Sequence, residues 1–382
     1  MQEKLEQRIL VSLVGDVVIN RPDPASAFDG VRKLLGESDI RFANCEAMYS
    51  RSTERHPQDP CTTRADPDNF VGVTSAGFDI LSFANNHALG GGYGSFFDTL
   101  ELMCENNIAA VGAGNDLAEA MAPVYVERKG VKVGFVAYAC VYYPGFEAMP
   151  NRPGVACLRN YTEYKCEVGQ PGTQPIGITT VADPRDKAAM VDAVREAKAN
   201  ADAVVVSMHW GLHHTDATVA DYEGELGRAA IDAGADIVFG HHQHILKGVE
   251  VYDGRLIVHG ANQFVFDVNT ADLERSRSAG WVPAKAHSAG RAGIQFDPEY
   301  PSYPFRPDAR MNLIAEVSVS KQGLEEVHLR PCLINRLGQP EPLEPDTAEF
   351  DRWMDYMTEI TAAAGLNGSF HSVGDGRVVV QV

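Results

Sequence analysis

Short apolar runs alternate with amphipathic stretches along most of this chain, and the apolar runs stop at residues able to bind metals or move protons. Residues 9–14, 40–43, 79–84, 132–139, 203–208 and 236–239 each read as a buried strand. Two shorter runs, 256–258 and 264–266, flank His259 and the pair Asn262-Gln263. Asp183-Pro184 opens a helix that extends to about residue 200, because an N-cap carboxylate accepts from free N–H groups and proline lacks the N–H that would go unpaired there. A second helix is expected over 219–233, ended by Gly234. Alternation of helix and apolar strand predicts βαβ units and an α/β fold whose sheet is covered by helices.

From 268 to 305 the pattern dissolves into Gly, Pro, Ser and basic residues, which predicts a long loop or lid. Residues 315–320 and 327–331 flank the Lys321-Gln322-Gly323 turn and predict a hairpin. Past the joint at Pro340, Pro342 and Pro345, residues Phe350, Trp353, Met354, Met357 and Ile360 recur at helical spacing, with Asp346 and Glu349 as the capping pair. That stripe is expected to face a core. The division expected is one domain over 8–335, with 336–382 as an extension of a helix and a short strand packed on it.

Composition narrows the functions. At 382 residues, 45% hydrophobic and 22% charged, the chain can bury a large core. Its formal charge of −19 repels nucleic acid and disfavours a polyanionic substrate unless a local basic pocket overrides the field. The first eight residues are rich in charge, and no run approaches about 18 apolar residues, so a cytoplasmic protein without a membrane anchor is expected. Seven cysteines without a close pair suit reduced thiols rather than a disulfide framework.

The strand ends carry the chemistry. In order they offer Asp16, Glu46, Asn86 with His87, His209, and the cluster Gly240-His241-His242-Gln243-His244. A single histidine after a strand is more often hydrogen-bonded structure than a ligand. Several strand ends with metal-ligand chemistry are hard to explain by turn preference, and ligands of open α/β sheets gather outside the strand ends. Two carboxylates, an amide oxygen and several imidazoles suit two divalent ions such as manganese, zinc or iron. In such a site a carboxylate bridges the ions, a water between them ionises near neutral pH, and the bridging hydroxide attacks an electrophile, while a metal-free histidine serves the leaving group.

Six ordered motifs, Gly15-Asp16, Asn44-x-Glu46, Asn85-Asn86-His87, His209-Trp210-Gly211, Gly240-His241-His242-x-His244 and Phe264-Val265-Phe266-Asp267, resemble the CapA/PgsA-type poly-γ-glutamate biosynthesis family of the calcineurin-like metallophosphoesterase superfamily. The resemblance covers roughly residues 8–335. It implies a two-sheet β-sandwich flanked by helices in four αββα layers, with a dinuclear metal site at the strand ends. It also implies Asp16 on one ion, Glu46 as the bridging acid, Asn86 on the second ion, and His87 as the adjacent proton donor. His209 and His242 would share one ion and His244 would bind the other. The extra histidine leaves His241 and His242 interchangeable in that scheme.

Several positions depart from the family pattern. Val18 stands where the superfamily often has a histidine. His213 or His214 occupies the place of a usual acidic residue, and Gly260-Ala261-Asn262-Gln263 replaces a common Ser-Leu-Gly-Asn. A glycine-rich Leu89-Gly90-Gly91-Gly92 follows Asn-Asn-His. The metal set is kept while the pocket wall changes, so a different substrate is expected. Asn85, Trp210, His213, His214, Asn262, Tyr142 and Arg291 are the candidate substrate contacts. Lys285 and His287 join Arg291 in the basic loop, and Tyr143 and Phe146 join Tyr142 in an aromatic one. Cys45 is expected to be an inert core thiol. The function expected is a metal-dependent hydrolase cleaving an amide, peptide or phosphoester bond in a small metabolite. The alternative is a non-catalytic or polymer-processing component of poly-γ-glutamate (capsule) synthesis, and homo-oligomer formation stays open.

Overall fold

The computed structural model describes residues 7–57, 63–166, 175–267 and 297–381. Its centre is two sheets. In the ten-stranded sheet, Ile9–Val18, Ile40–Cys45, Ile80–Ser82 and Ala109–Val111 lie side by side and parallel. On the other flank of Ile9–Val18 comes the antiparallel hairpin Met311–Ser320 and Gly323–Ile334, followed by Val378–Gln381 and Ser369–Ser372. Gln263–Phe266 pairs in parallel with the last residues of Ile9–Val18. The six-stranded sheet runs Val249–Tyr252, Arg255–Val258, Ile237–His241, Ala203–His209, Val131–Ala139, Val124–Arg128, with its middle four strands parallel.

Period-two alternation decides what each side chain covers. Val133, Phe135 and Ala137 turn toward the ten-stranded sheet, where Phe135 stacks on Phe42 at 5.8 Å. Their neighbours Val136 and Tyr138 join Val204, Val206 and Met208 beneath Met190 and Val194 of helix Pro184–Asn200 and Leu226 of helix Asp221–Asp232. Helices Gly92–Glu105 and Ala348–Ala363 pack on the ten-stranded sheet through Phe96 and Trp353, and the Trp353 indole donates to the Asn312 carbonyl at 2.9 Å. The architecture is therefore an α/β sandwich of two sheets flanked by helices. Ala203–His209 and Ile237–His241 are buried throughout, which is why they read as unbroken apolar runs.

Some elements differ from their sequence-based boundaries. The first strand does not stop at Gly15-Asp16 but continues to Val18, with an irregularity between Asp16 and Val17 that re-aims the aspartate. Gly15 is required there, since a Cβ would overlap the Asn262 carbonyl that accepts the Asp16 N–H at 3.2 Å. Thr347, not Asp346 or Glu349, caps the late helix by accepting from the Phe350 N–H. The residues after that helix do more than lie on the domain: two strands extend the ten-stranded sheet. Helix Gly92–Glu105 was hidden by its glycine-rich entry, and the hairpin Asn160–Cys166 with Pro175–Ala182 by a largely exposed first strand that shows no buried alternation. Lys285, His287 and Arg291 lie outside the described residues. No helix among the described residues is long and apolar enough to cross a membrane.

The close approach at Gly15 yields a prediction. Gly15→Ala should lower the unfolding free energy by about 1–3 kcal/mol, the usual penalty of overpacking, because the obstructing atom is backbone. Urea denaturation of the purified variant checks this, and a midpoint equal to that of the parent chain would show that the crossing of residues 15 and 262 is looser than described.

Candidate metal centre

The parallel strands of both sheets bring their carboxyl ends to one crevice. Asp16 comes from Ile9–Val18, Glu46 follows Ile40–Cys45, and Asn86 and His87 follow Ile80–Ser82. From the other sheet, His209 and His241 close two neighbouring strands in register, and His242 and His244 follow directly. His242 and His244 hold left-handed backbone at φ 99° and 57°, uncommon for residues with a side chain. Asp16 fixes this bend by accepting the His242 N–H on Oδ2 at 3.1 Å.

Three overlapping donor groups result: Asp16, His209 and His241; Glu46, His209 and His242; Asp16, Glu46 and His244. Glu46 is fully buried, yet neither carboxylate oxygen has a hydrogen-bond donor. Its Oε1 stands 3.6 Å from His87 Nε2 and 3.7 Å from His209 Nε2, and Oε2 stands 3.6 Å from His244 Nε2. These separations exceed a hydrogen bond and suit donors that each lie about 2 Å from a shared ion. His209 Nε2 also meets Asn86 Oδ1 at 2.6 Å and His242 Nδ1 at 3.0 Å, more acceptors than one N–H can serve. The buried orphan oxygens and the converging nitrogens both fit divalent cations.

Burial governs the protonation states. It pushes His209 and His242 well below the ordinary imidazole range and His244 down to about 4, which keeps them neutral as metal ligands must be. The two carboxylates diverge. Burial would raise Asp16, but His241 and the neighbouring imidazoles outweigh it and hold the group low. Burial and the nearby Asp16 push Glu46 well above the carboxylate range, against a smaller opposing pull from His87. Cys45, between the site residues, is pushed up to about 12 by burial, consistent with an inert thiol.

His241 and His242 occupy different places. His242 Nδ1 reaches His209 Nε2. His241 lies behind, with Nε2 2.8 Å from Ser207 Oγ and Nδ1 2.8 Å from His209 Nδ1 and 3.3 Å from Asp16 Oδ1. With Ser207 accepting one His241 proton, His209 donates through Nδ1 and turns its Nε2 lone pair to the crevice. Asn44 completes this layer, donating to Asp16 Oδ1 at 2.8 Å. Asn44 stood in a recognised motif without a role, while Ser207 gave no signal beyond its spacing two residues before His209.

The candidate substrate contacts separate on folding. His213 stacks on His242 with ring centroids 4.0 Å apart, and His214 meets His244 at 5.6 Å, so both border the centre. Asn85, Trp210 and Asn262 do not line the crevice as substrate contacts. Asn85 donates to the Asn44 side chain and the Cys45 carbonyl, and accepts the His87 N–H. Asn262, in left-handed backbone at φ 69°, donates to the Ala309 and Met311 carbonyls at 2.7 Å. Trp210 is fully buried and donates to the His259 carbonyl at 2.8 Å. Tyr142 lies in a different cavity of about 520 Å³ with Pro144, Met149, Cys157 and Arg159, none of them a residue of the centre.

The chain is similar to several known proteins. The family model described as "Bacterial capsule synthesis protein PGA_cap" matches residues 10–268. The chain belongs to that family. The PGA biosynthesis protein CapA of Bacillus subtilis is 30% identical over 267 residues, covering 67% of this chain and 63% of that protein. A probable polyglutamine synthesis accessory protein of Mycobacterium tuberculosis is 32% identical over 234 residues, covering 60% of this chain and 56% of its own length. The chain thus spans about three fifths of the length of these curated relatives. Among solved structures, a hypothetical protein from Thermus thermophilus superposes with a TM-score of 0.47 at 14% identity, covering 87% of this chain and 100% of that one. The calcineurin-like phosphoesterase YfkN from Bacillus subtilis gives 0.40 at 12% identity, covering 94% and 98%.

A buried charge supports the histidine loop from beneath. The His259 ring stacks on Trp210 at 5.8 Å, and its nitrogens stand 3.8 Å from Glu223 and 3.6 Å from Glu250. Burial opposes a charge on this ring, but the two carboxylates outweigh it and raise its pKa. A raised folded value means that the stability it contributes is full below the unfolded value of about 6.5 and fades as pH rises through the folded one. The stability gap between the parent chain and Glu250→Gln should therefore be widest at pH 5.5 and narrower at pH 8.5. Urea titrations at both pH values check this, and a gap that widens with pH would show that His259 is not the group responsible.

Proposed function

We propose that this chain is a metal-dependent hydrolase in which a dinuclear centre cleaves an amide, peptide or phosphoester bond of a small-molecule substrate. The observation that carries this reading is Glu46: a fully buried carboxylate without a hydrogen-bond donor, whose two oxygens face different histidines. Asp16, Glu46 and His244 would hold one manganese, zinc or iron ion, and Glu46, Asn86, His209 and His242 the other. When bound, such ions supply Lewis acidity and lower the pKa of water toward neutrality. The chain's own groups do the rest. His241, held by Ser207, orients His209. His87, whose backbone N–H is fixed by Asn85 and whose Nε2 lies 3.4 Å from the Asn86 amide, carries a proton to the leaving group. Five cysteines among the described residues, Cys45, Cys104, Cys140, Cys157 and Cys332, are free thiols, and with the formal charge of −19 they support a cytoplasmic site of action and a partner other than nucleic acid.

A second reading is favoured by the relatives' names, which describe biosynthesis and accessory proteins. In it the chain is a non-catalytic or polymer-processing component of poly-γ-glutamate synthesis.

Metal content decides the first step. Protein purified without chelator should carry close to two equivalents of manganese, iron or zinc by elemental analysis, or about one if Val18 weakens a site. Asp16→Ala and His242→Ala should each lower that content. A chain that stays metal-free after incubation with all three ions would end the hydrolase reading. Activity decides the second step. His87→Ala should keep its metal and lose roughly 10²–10⁴-fold in turnover, the range for a general acid or base. The panel is small amides, aryl phosphates and poly-γ-glutamate. Metal-loaded protein inert toward all three would favour the accessory role, and cleavage of the polymer alone would favour polymer processing.

A further inference from the structure

The two ions of the proposed centre are not equally served. Glu46, Asn86, His209 and His242 give one of them four donors, whereas Asp16, Glu46 and His244 give the other three. Val18, at the place where the superfamily often has a histidine, adds nothing to that smaller set. Its partner across the strands, Phe266, is apolar as well, with its ring 4.8 Å from His244.

Beside Asp16 itself, however, the same pair of strands places a polar side chain. Gln263 pairs with Asp16 where Ile9–Val18 and Gln263–Phe266 run in parallel. Residues paired in this way turn their side chains to the same face of a sheet. For Asp16 that face meets the histidine loop, since its carboxylate accepts the His242 N–H. Gln263 is fully buried, and its Oε1 has no hydrogen-bond donor. Rotating the amide does not cure this. The Tyr303 hydroxyl donates to the Ala309 carbonyl at 2.7 Å, so toward Gln263 it can only accept, and it accepts the Nε2 amide at 2.8 Å. Burial keeps that phenol protonated, and the charge of Asp16 adds to the effect. The backbone is tied down too, its N–H donating to Asn262 Oδ1 and its carbonyl accepting the Asn312 amide, each at 2.7 Å. Everything polar on the residue is therefore paired except one oxygen, as with the carboxylate of Glu46. A methionine would fill the space with no acceptor left unsatisfied.

We propose that Gln263 is a further metal ligand, its Oε1 completing the set of Asp16, Glu46 and His244 in place of the histidine that Val18 lacks. This rests on the dinuclear reading and deepens it by naming a donor from a strand outside the two histidine-bearing ones. An amide oxygen is a hard, neutral ligand, the role already given to Asn86 at the other ion. With Gln263 the set has three oxygens and one nitrogen, which suits manganese better than a softer ion. Tyr303 then acts behind it, since holding Nε2 fixes the direction of Oε1.

The test uses the full chain, stripped with chelator and titrated with manganese, the free ion being read by electron paramagnetic resonance. The parent chain should bind in two steps. Gln263→Met, unbranched and without an oxygen, should weaken one step by roughly 10–100-fold, the loss usual when a metal site is deprived of a supporting group, and leave the other unchanged. Gln263→Glu, which returns an oxygen, should restore the weakened step. A residue that merely braces the strand gives the opposite result, because a carboxylate cannot donate to Tyr303. Zinc, being diamagnetic, gives a direct reading. In ¹³C-glutamine-labelled parent chain, the side-chain carbonyl resonance that disappears in Gln263→Glu should move downfield as zinc is added. Should Gln263→Met fail to fold, that resonance decides alone. Unchanged steps in Gln263→Met overturn the proposal, as do equal weakening of both steps, a Gln263→Glu chain as weak as Gln263→Met, or a carbonyl resonance that stays in place. A parent chain that binds in one step also overturns it, because Gln263 has then not made good the missing histidine, while the other ion remains. A parent chain that takes up no metal is the separate failure of the hydrolase reading.

Discussion

The enclosure of Asp16 and Glu46 together, away from water and close to one another, is the constraint on which the rest of this structure depends. Burying carboxylates is unfavourable unless they are paired, and the chain treats the two differently. Asp16 is supplied with donors: the His242 N–H and the Asn44 amide. Glu46 receives none and is left facing imidazole nitrogens that burial keeps neutral. A site with so many lone pairs and so few protons is complementary to cations, and both sheets meet where those cations would lie.

The surrounding framework serves that arrangement. The Asp16 carboxylate can meet the His242 N–H because the first strand is irregular just past it, and the Asn262 carbonyl can approach because residue 15 has no side chain. Asn262 reaches that place only in left-handed backbone, and its amide ties the crossing to the 309–311 segment. Beneath the histidine loop, Gln243 and Trp210 both donate to the His259 carbonyl, and His259 is balanced between Glu223 and Glu250. These polar groups are buried behind the crevice, and they fix the directions of ligand side chains that would otherwise rotate.

Membership of the capsule synthesis family and the geometry of the site bear on different questions. The family match covers the segment that supplies every residue of the crevice core, from Asp16 to His244. The wall beyond that core is set by residues 212–219 and by Phe305, and there this chain places imidazoles against aromatic rings. The donor groups of the centre and the side chains of the wall are therefore carried by different elements.

The sequence by itself determined the layers and the identity of the chemical groups. Strands buried on both faces must be continuous apolar runs, and helices covering them must be amphipathic, so residues 203–208, 236–239 and 184–200 were legible one by one. The six polar motifs at strand ends were legible for the same reason, since each interrupts an apolar run. Tertiary structure alone decided which polar residue faces the crevice. Asn85 and Trp210 stand in the same motifs as ligand candidates, and Asn262 stands just before the last motif, yet their polar atoms are consumed by carbonyls from distant segments. Nothing local distinguishes His241 from His242 either: one turns back to Ser207 and Asp16, the other forward to His209, because the left-handed bend begins between them. Lys247 gave no signal at all, as its partners are the backbone carbonyls of Thr215 and Thr218, about 30 residues away. Side-chain type and periodicity are properties of neighbouring residues and survive in the sequence, whereas the direction of a hydrogen bond depends on where remote backbone arrives, and only the folded chain sets that.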